Sequence, residues 1–232
     1  MEPLDHPQWA ALTTEHAGLA RRLGGAAAYP PDVTPMSGLA DPRDPQAWAD
    51  LARLLAPGER SILMFTEPPE PPKVVRLLMQ RFILQMTGPE TAPGLPAAPA
   101  GLVRLGLEDG PDMVALAART EPGPMGLRTV TMGNWWGVRH EGALVALAGQ
   151  RMHLSGLVEI SGVCTDPTVR GQGLARNLIL HAMHDVAARG ERSFLHLKTE
   201  NAAARTLYEA LGFTVRTQIH MSVLELAAEV AG

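Results

Sequence analysis

Between Gly88 and Gly101 the chain reads GPETAPGLPAAPAG, four prolines and three glycines in fourteen residues. Proline fixes φ near −65° and has no N–H to give a helix turn or a sheet ladder. The stretch can therefore be neither helix nor sheet, and it reads as a semi-rigid linker. It divides the sequence into a first domain, 1–98, that carries the start of the linker, and a second, 99–232.

Composition narrows what those parts can be. The chain has 232 residues, 46% hydrophobic and 19% charged, which is the balance of a globular protein with a real core. Aromatics are 4%, so that core must be built from Leu, Val, Ile, Ala and Met. The formal charge is −4, and no run of five or six cations occurs. This argues against non-specific nucleic-acid binding, which needs concentrated Lys and Arg to displace counterions. Cys164 is the single cysteine, so no internal disulfide and no cysteine-based zinc site is expected. The opening MEPLDHPQWAALTTEH has no basic and no apolar region of a signal peptide. No apolar run approaches the ~20 residues of a membrane span. A cytoplasmic protein is expected, with no membrane or nucleic-acid partner. No heptad pattern points to an interface, so the oligomeric state stays open.

The first hundred residues give mixed signals. Spacing predicts a helix over 7–22, a loop over 26–44, a helix over 45–56 and a buried strand over 61–65. Residues 74–86 fit a helix, two short elements or a strand equally well. Beyond the linker the pattern sharpens. It predicts a strand over 102–107, a helix over 111–118, a hairpin of 135–140 and 143–150 turning at Glu141-Gly142, and a strand over 157–165. A helix over 173–188, a strand over 193–198, a helix over 201–211 ended by Gly212 and a strand over 214–226 follow. This is a mixed α/β order, a sheet with helices packed on it.

The chemistry-bearing segment is Val163-Cys164-Thr165-Asp166-Pro167-Thr168-Val169-Arg170-Gly171-Gln172-Gly173-Leu174-Ala175. A strand ends, a glycine-containing loop follows, and a helix starts. Loop glycines admit close backbone approach. The free N–H groups of a helix start favour an anion, and Arg170 adds a cation. A phosphate or pyrophosphate is the natural ligand, and a plain tight turn is the alternative. No Gly-Lys-Ser/Thr follows, so it is not a P-loop. Arg176 stands where the third glycine of a dinucleotide fingerprint belongs.

Downstream lies Asn201-Ala202-Ala203-Ala204-Arg205-Thr206-Leu207-Tyr208-Glu209-Ala210-Leu211-Gly212-Phe213. Together the two segments resemble the GNAT superfamily of acetyl-CoA-dependent N-acetyltransferases. Arg170 to Ala175 matches the Q/R-x-x-G-x-G/A loop, and Asn201 to Phe213 matches N-x-x-A-x-x-L-Y-E-x-L-G-F without a break. The lead-in Glu159-Ile160-Ser161-Gly162-Val163-Cys164-Thr165 is similar to the FR47-like branch. The resemblance is strong over 155–222 and extends from about 102. It leaves out the first hundred residues, which read as a divergent domain or a degenerate second copy of the fold.

The resemblance implies a GNAT-like, mostly antiparallel mixed sheet flanked by helices, with acetyl-CoA as co-substrate, no metal, and an amine as acceptor. It implies that two strands splay and the pantetheine inserts between them. Val163 and Thr165, with Cys164 between them, would line that arm. Arg170, Gly171, Gln172, Gly173, Leu174 and Ala175 would hold the pyrophosphate, and Asn201 would bond the pantetheine. Tyr208 matches the tyrosine that protonates the departing thiolate. Glu159, four residues before Val163 and expected on the same strand face, matches a general base or substrate anchor. Direct attack in a ternary complex is the expected mechanism. A non-catalytic acyl-CoA sensor, or a transferase using another acyl-CoA, are the alternatives.

Each residue also has a plainer reading. Tyr208 fits a helix core, Glu159 a solvated strand position, and Asn201 an N-cap. Cys164 reads as a buried thiol. His181, His184 and Asp185 suit a solvated helix face more than a metal. His196 alternates with Leu195 and Leu197, which suits a core strand position or a substrate-side role. One of Trp135 and Trp136 fits the core, the other the acceptor side, and the loop 122–125 fits a gate.

Overall fold

The structure, a computed structural model, describes residues 2–226. The chain forms two compact units. Of the described residues, the first takes 2–31, 35–84 and 217–226; the second takes Asp32–Thr34 and Gln85–Arg216.

In the first unit, helix α1 (Pro7–Thr13) is followed by strands β1 (Arg21–Leu23), β2 (Ala26–Ala28) and β3 (Ser37–Leu39), which form an antiparallel sheet. Helix α2 (Pro45–Leu54) and strand β4 (Arg60–Phe65) come next. Two long strands, β5 (Val75–Thr87) and β11 (Thr214–Leu226), divide their residues between the units. β4 pairs antiparallel with β11 from His220↔Phe65 to Glu225↔Arg60.

The expected helix over 7–22 stops early. Thr13 and Thr14 turn their hydroxyls back on the Trp9 and Ala10 carbonyls, both at 2.7 Å, which competes with the helix ladder. The expected loop over 26–44 contains β2 and β3. Ala26–Ala28 are wholly buried, and such small side chains let α2 pack its Ala47, Trp48 and Leu51 beside Ala26. α2 itself follows its local signals. Asp44 accepts from the Gln46 N–H at 2.9 Å, and Pro45 occupies the first turn, where its missing N–H is harmless. The stretch 74–86 that periodicity left open is strand.

The second unit holds β6 (Leu102–Leu105), α3 (Gly110–Thr120), β7 (Trp135–His140), β8 (Ala143–Leu154), β9 (Leu157–Thr165), α4 (Leu174–Ala188), β10 (Arg192–Lys198) and α5 (Ala202–Ala210). Its strands run in the order β5-β10-β9-β8-β7-β6. β6 to β9 pair antiparallel with their neighbours, and β9 and β10 are parallel. The sheet is thus mixed, mostly antiparallel and flanked by helices. The hairpin β7–β8 turns at Glu141 and Gly142, both at positive φ, the geometry of a two-residue primed turn. One core cluster joins α3 (Met113, Leu116) to Trp135, Leu147 and Cys164. A second joins α4 (Leu174, Leu178) to Val138, Ala146 and Val163. Gly88–Gly101 forms no helix or strand. No helix among the described residues is long and apolar enough to cross a membrane.

Candidate functional site

The site follows from how β9 and β10 meet. Their parallel register runs Arg192↔Leu157, Ser193↔Val158, Phe194↔Glu159 and stops. β9 continues to Thr165 and β10 to Lys198, so two strand arms part beyond Glu159. Each arm presents backbone donors and acceptors that its neighbour does not take up.

β9 is also irregular against β8. The register shifts between Leu147/Gly149, where β9 holds the extra residue, and between Gln150/His153, where β8 does. The first bulge centres on Gly162, whose φ is 68°. A Cβ there would meet the Trp135 ring at 2.5 Å, so only glycine fits. The bulge moves the alternation by one residue. Ile160 lies opposite Gln150, whose amide donates to Asp185 of α4 at 2.8 Å. Ile160 therefore faces α4 and Glu159 faces away. Val163 packs with Leu174 and Leu178 on the α4 side, while Cys164 packs with Leu116 and Leu147. Glu159 and Val163 thus lie on opposite faces, whereas uninterrupted alternation would put them on one.

At the end of β9 the loop is braced locally. Asp166 accepts from the Thr168 N–H at 3.1 Å and its hydroxyl at 2.8 Å. Arg170 Nε donates to the Thr165 carbonyl at 3.3 Å. Gly171 and Gly173 have φ of 81° and 73°, and a Cβ at either meets nothing within 4 Å. Arg170, Gly171, Gln172, Gly173 and Arg176 are exposed, and Leu174 and Ala175 are partly so. The first N–H groups of α4 have no intrahelical acceptors, so open space, free donors and two arginines coincide at this helix start. Thr165 Oγ1 is buried without a partner in the structure.

Glu159 is fully buried. Arg151 of β8 holds it with Nε to Oε2 at 3.0 Å and Nη2 to Oε1 at 3.1 Å. His196 Nδ1 lies 2.8 Å from Oε1. Burial pushes the carboxyl pKa up, but the Arg151 charge and the His196 hydrogen bond outweigh it and bring it to about 2. Tyr208 of α5 is 8% exposed, and its ring meets Phe213 edge-on at 5.8 Å. Burial, then the Glu159 charge, push its phenol up to about 12. Tyr208 and Glu159 are therefore within electrostatic reach of each other. Cys164 is buried, and burial pushes its thiol up to about 11.

Asn201 caps α5, its Oδ1 accepting from the Ala204 N–H at 3.1 Å. His181 Nδ1 bonds the Asn177 carbonyl and His184 Nε2 the Pro93 carbonyl, at 2.9 and 2.6 Å. Among the described residues no three His, Cys, Asp or Glu side chains are grouped to hold a metal. Trp135 is wholly buried, while Trp136 is partly exposed beneath the Arg104 guanidinium, 4.7 Å from its ring. In the 122–125 loop, Met125 reaches the space beside Gly162. Arg151 and Gln85 carry no motif that marks them in the sequence. A charged residue inside the apolar strand 143–154 was the available signal for Arg151. Gln85 lay in the stretch whose element stayed open.

Known proteins share this architecture. The FR47-like protein family model matches residues 135–221. A crystal structure of a GNAT-family protein from Novosphingobium aromaticivorans superposes with a TM-score of 0.89 at 38% identity, covering 98% of this chain and 100% of that one. The chain belongs to the GNAT family of acetyltransferases. Its fold is that of an acyltransferase, of the FR47-like type. Mycothiol acetyltransferases are also similar, that of Beutenbergia cavernae at 40% identity over 75 residues and that of Amycolatopsis mediterranei at 38% over 88. Those matches take in 32% and 38% of this chain, and 25% and 28% of the relatives. This GNAT chain thus matches about a quarter of the length of those curated relatives.

Proposed function

We propose that this chain is an acetyl-CoA-dependent N-acetyltransferase that moves an acetyl group to a primary amine by direct attack in a ternary complex. The observation that carries the reading is the parting of β9 and β10 next to an open, glycine-lined helix start. The orphaned Thr165 hydroxyl and the empty space at Gly171 and Gly173 fit a pantetheine and a pyrophosphate.

In this reading the N–H groups from Arg170 to Ala175 hold the pyrophosphate, with the α4 dipole and Arg170 favouring its charge. The β9 backbone at Val163 to Thr165 supplies hydrogen bonds to the arm of the donor, and the exposed amide of Asn201 bonds it from α5. Tyr208 remains a phenol through the physiological range, so it has a proton to give the departing thiolate. Glu159 holds its charge beside that phenol. A carboxyl with a pKa near 2 and both oxygens engaged is a weak proton acceptor at pH 7. The proton of the incoming ammonium therefore leaves through water, and Glu159 serves electrostatically. Of the two protons the nitrogen loses, one ends on sulfur by way of Tyr208 and one in solvent.

The test is thiol release from acetyl-CoA in the presence of a panel of primary amines: amino sugars, polyamines, aminoglycosides, amino acids and lysyl peptides. Amine-dependent release with a matching acetylated product supports the reading. CoA binding without release from acetyl-, propionyl- or succinyl-CoA favours the sensor alternative.

A further inference from the structure

A line of side chains in the second unit forms a continuous hydrogen-bonded row, and its members other than Glu159 have no part in the acyl-transfer steps above. Arg216 of β11 donates from Nη1 to Gln85 Oε1 of β5 at 2.8 Å. That contact orients the amide, so Gln85 Nε2 faces His196 Nε2 on β10 at 3.1 Å. An amide nitrogen offers only donors, so His196 Nε2 is the acceptor. The ring proton is then on Nδ1, pointing at Glu159 Oε1 2.8 Å away. Glu159 is held in turn by Arg151 of β8. The five residues lie on neighbouring strands, β11-β5-β10-β9-β8.

The row has a direction. An added proton on His196 Nε2 would face the Gln85 N–H group donor to donor. Turning the amide over would set its nitrogen against Arg216, again donor to donor. The side chains of His196 and Glu159 are 3% and 1% exposed, so water is a poor substitute for either bond, and charge-assisted bonds in such surroundings are strong ones.

Its position matters as much as its direction. Main-chain pairing of β9 and β10 ends at Phe194↔Glu159, and His196 stands two residues farther along β10. The Glu159–His196 bond therefore ties the two arms together where the backbone ladder ends.

We propose that His196 is a positioning residue for the acyl donor: by bonding Glu159 on one side and Gln85 on the other, it fixes the separation of the β9 and β10 arms that receive the thioester end. This rests on the reading of the opening as the acyl-CoA site.

Calorimetric titration with acetyl-CoA tests it, with the thermal midpoint of every variant measured alongside. His196→Leu removes both bonds and keeps bulk; its Kd should rise about tenfold, a change of about 1.4 kcal/mol. His196→Asn sets an amide N–H near the Nδ1 position and should recover most of that affinity. Gln85→Leu removes only the far contact and should weaken binding about threefold. Affinity should follow the retained donor to Glu159 and not the thermal midpoint. Side-chain ¹⁵N spectra of the wild type should show a His196 ring protonated at Nδ1 and bare at Nε2 at pH 7.5. Wild-type affinity in folded His196→Leu, or in Gln85→Leu if the His196 variants do not fold, overturns the positioning role. A ring protonated at Nε2 overturns the directed row. A wild-type chain that binds neither acetyl-CoA nor CoA defeats the reading of the opening itself, and this inference with it.

Discussion

The imidazole of His196 and the carboxylate of Glu159 meet at 2.8 Å beside the last backbone pair between β9 and β10. Around that contact the Arg151 charge holds the Glu159 carboxyl low, and burial holds the Tyr208 phenol high; this division governs what each group contributes.

Glu159 links the site to acid stability. Its folded pKa, about 2, lies below the ordinary 4.5, so its stabilisation is complete above pH 4.5 and fades as pH falls towards 2. The amount is about 3 kcal/mol. Glu159→Gln should lose this pH dependence and be less stable at pH 7 by about 3–5 kcal/mol, because Arg151 keeps a buried charge without its partner. Urea unfolding between pH 7 and 3 measures both. Parallel stability curves for the two proteins would contradict the assignment.

Tyr208→Phe should lower kcat about 10²-fold on the amine identified by thiol release, with acetyl-CoA affinity nearly unchanged. Since the phenol is pushed up to about 12, the wild type should show no loss of activity from this group up to pH 10. A kcat unaltered by the substitution across the pH range removes Tyr208 from the mechanism.

Cys164 should be inert. Thiolate is the reactive form, and a buried thiol raised to about 11 supplies almost none at pH 7.5. Intact-mass analysis after iodoacetamide should show no adduct on the folded protein and one after denaturation. Cys164→Ala should keep at least half of the activity, and an acetyl adduct on the native thiol would argue for a covalent route.

Gly162→Ala combines a φ of 68° with a contact at 2.5 Å from the Trp135 ring. Backbone strain and overpacking together should cost about 2–4 kcal/mol. A chemical denaturation midpoint equal to that of the wild type would mean that β9 accommodates a regular alternation here.

Much of this was legible in the residues. The strand–loop–helix from Glu159 to Ala175 and the segment from Asn201 to Phe213 are local signals, since turns, caps and amphipathic stripes act over a few residues. The family and the mixed sheet followed from them. Other features needed the third dimension. Ala26–Ala28 reads as loop because alanine carries no strand signal until α2 covers it. Glu159 reads as a strand residue near Val163. Only the pairing with β8 shows the bulge that turns the two apart, and only Arg151 and His196, 8 residues before and 37 after, reveal why a carboxylate is buried there.

If the helix start at Gly173, together with the parted strands, holds an acyl-CoA, binding must depend on that glycine. Isothermal titration with acetyl-CoA, run on the wild type, Gly173→Asp and Gly173→Asn, tests it most directly. The wild-type Kd should be on the order of micromolar, about −8 kcal/mol. Gly173→Asp should lose affinity clearly beyond Gly173→Asn, which has similar bulk without the charge. Equal affinity in all three proteins, or no binding by the wild type, would contradict it.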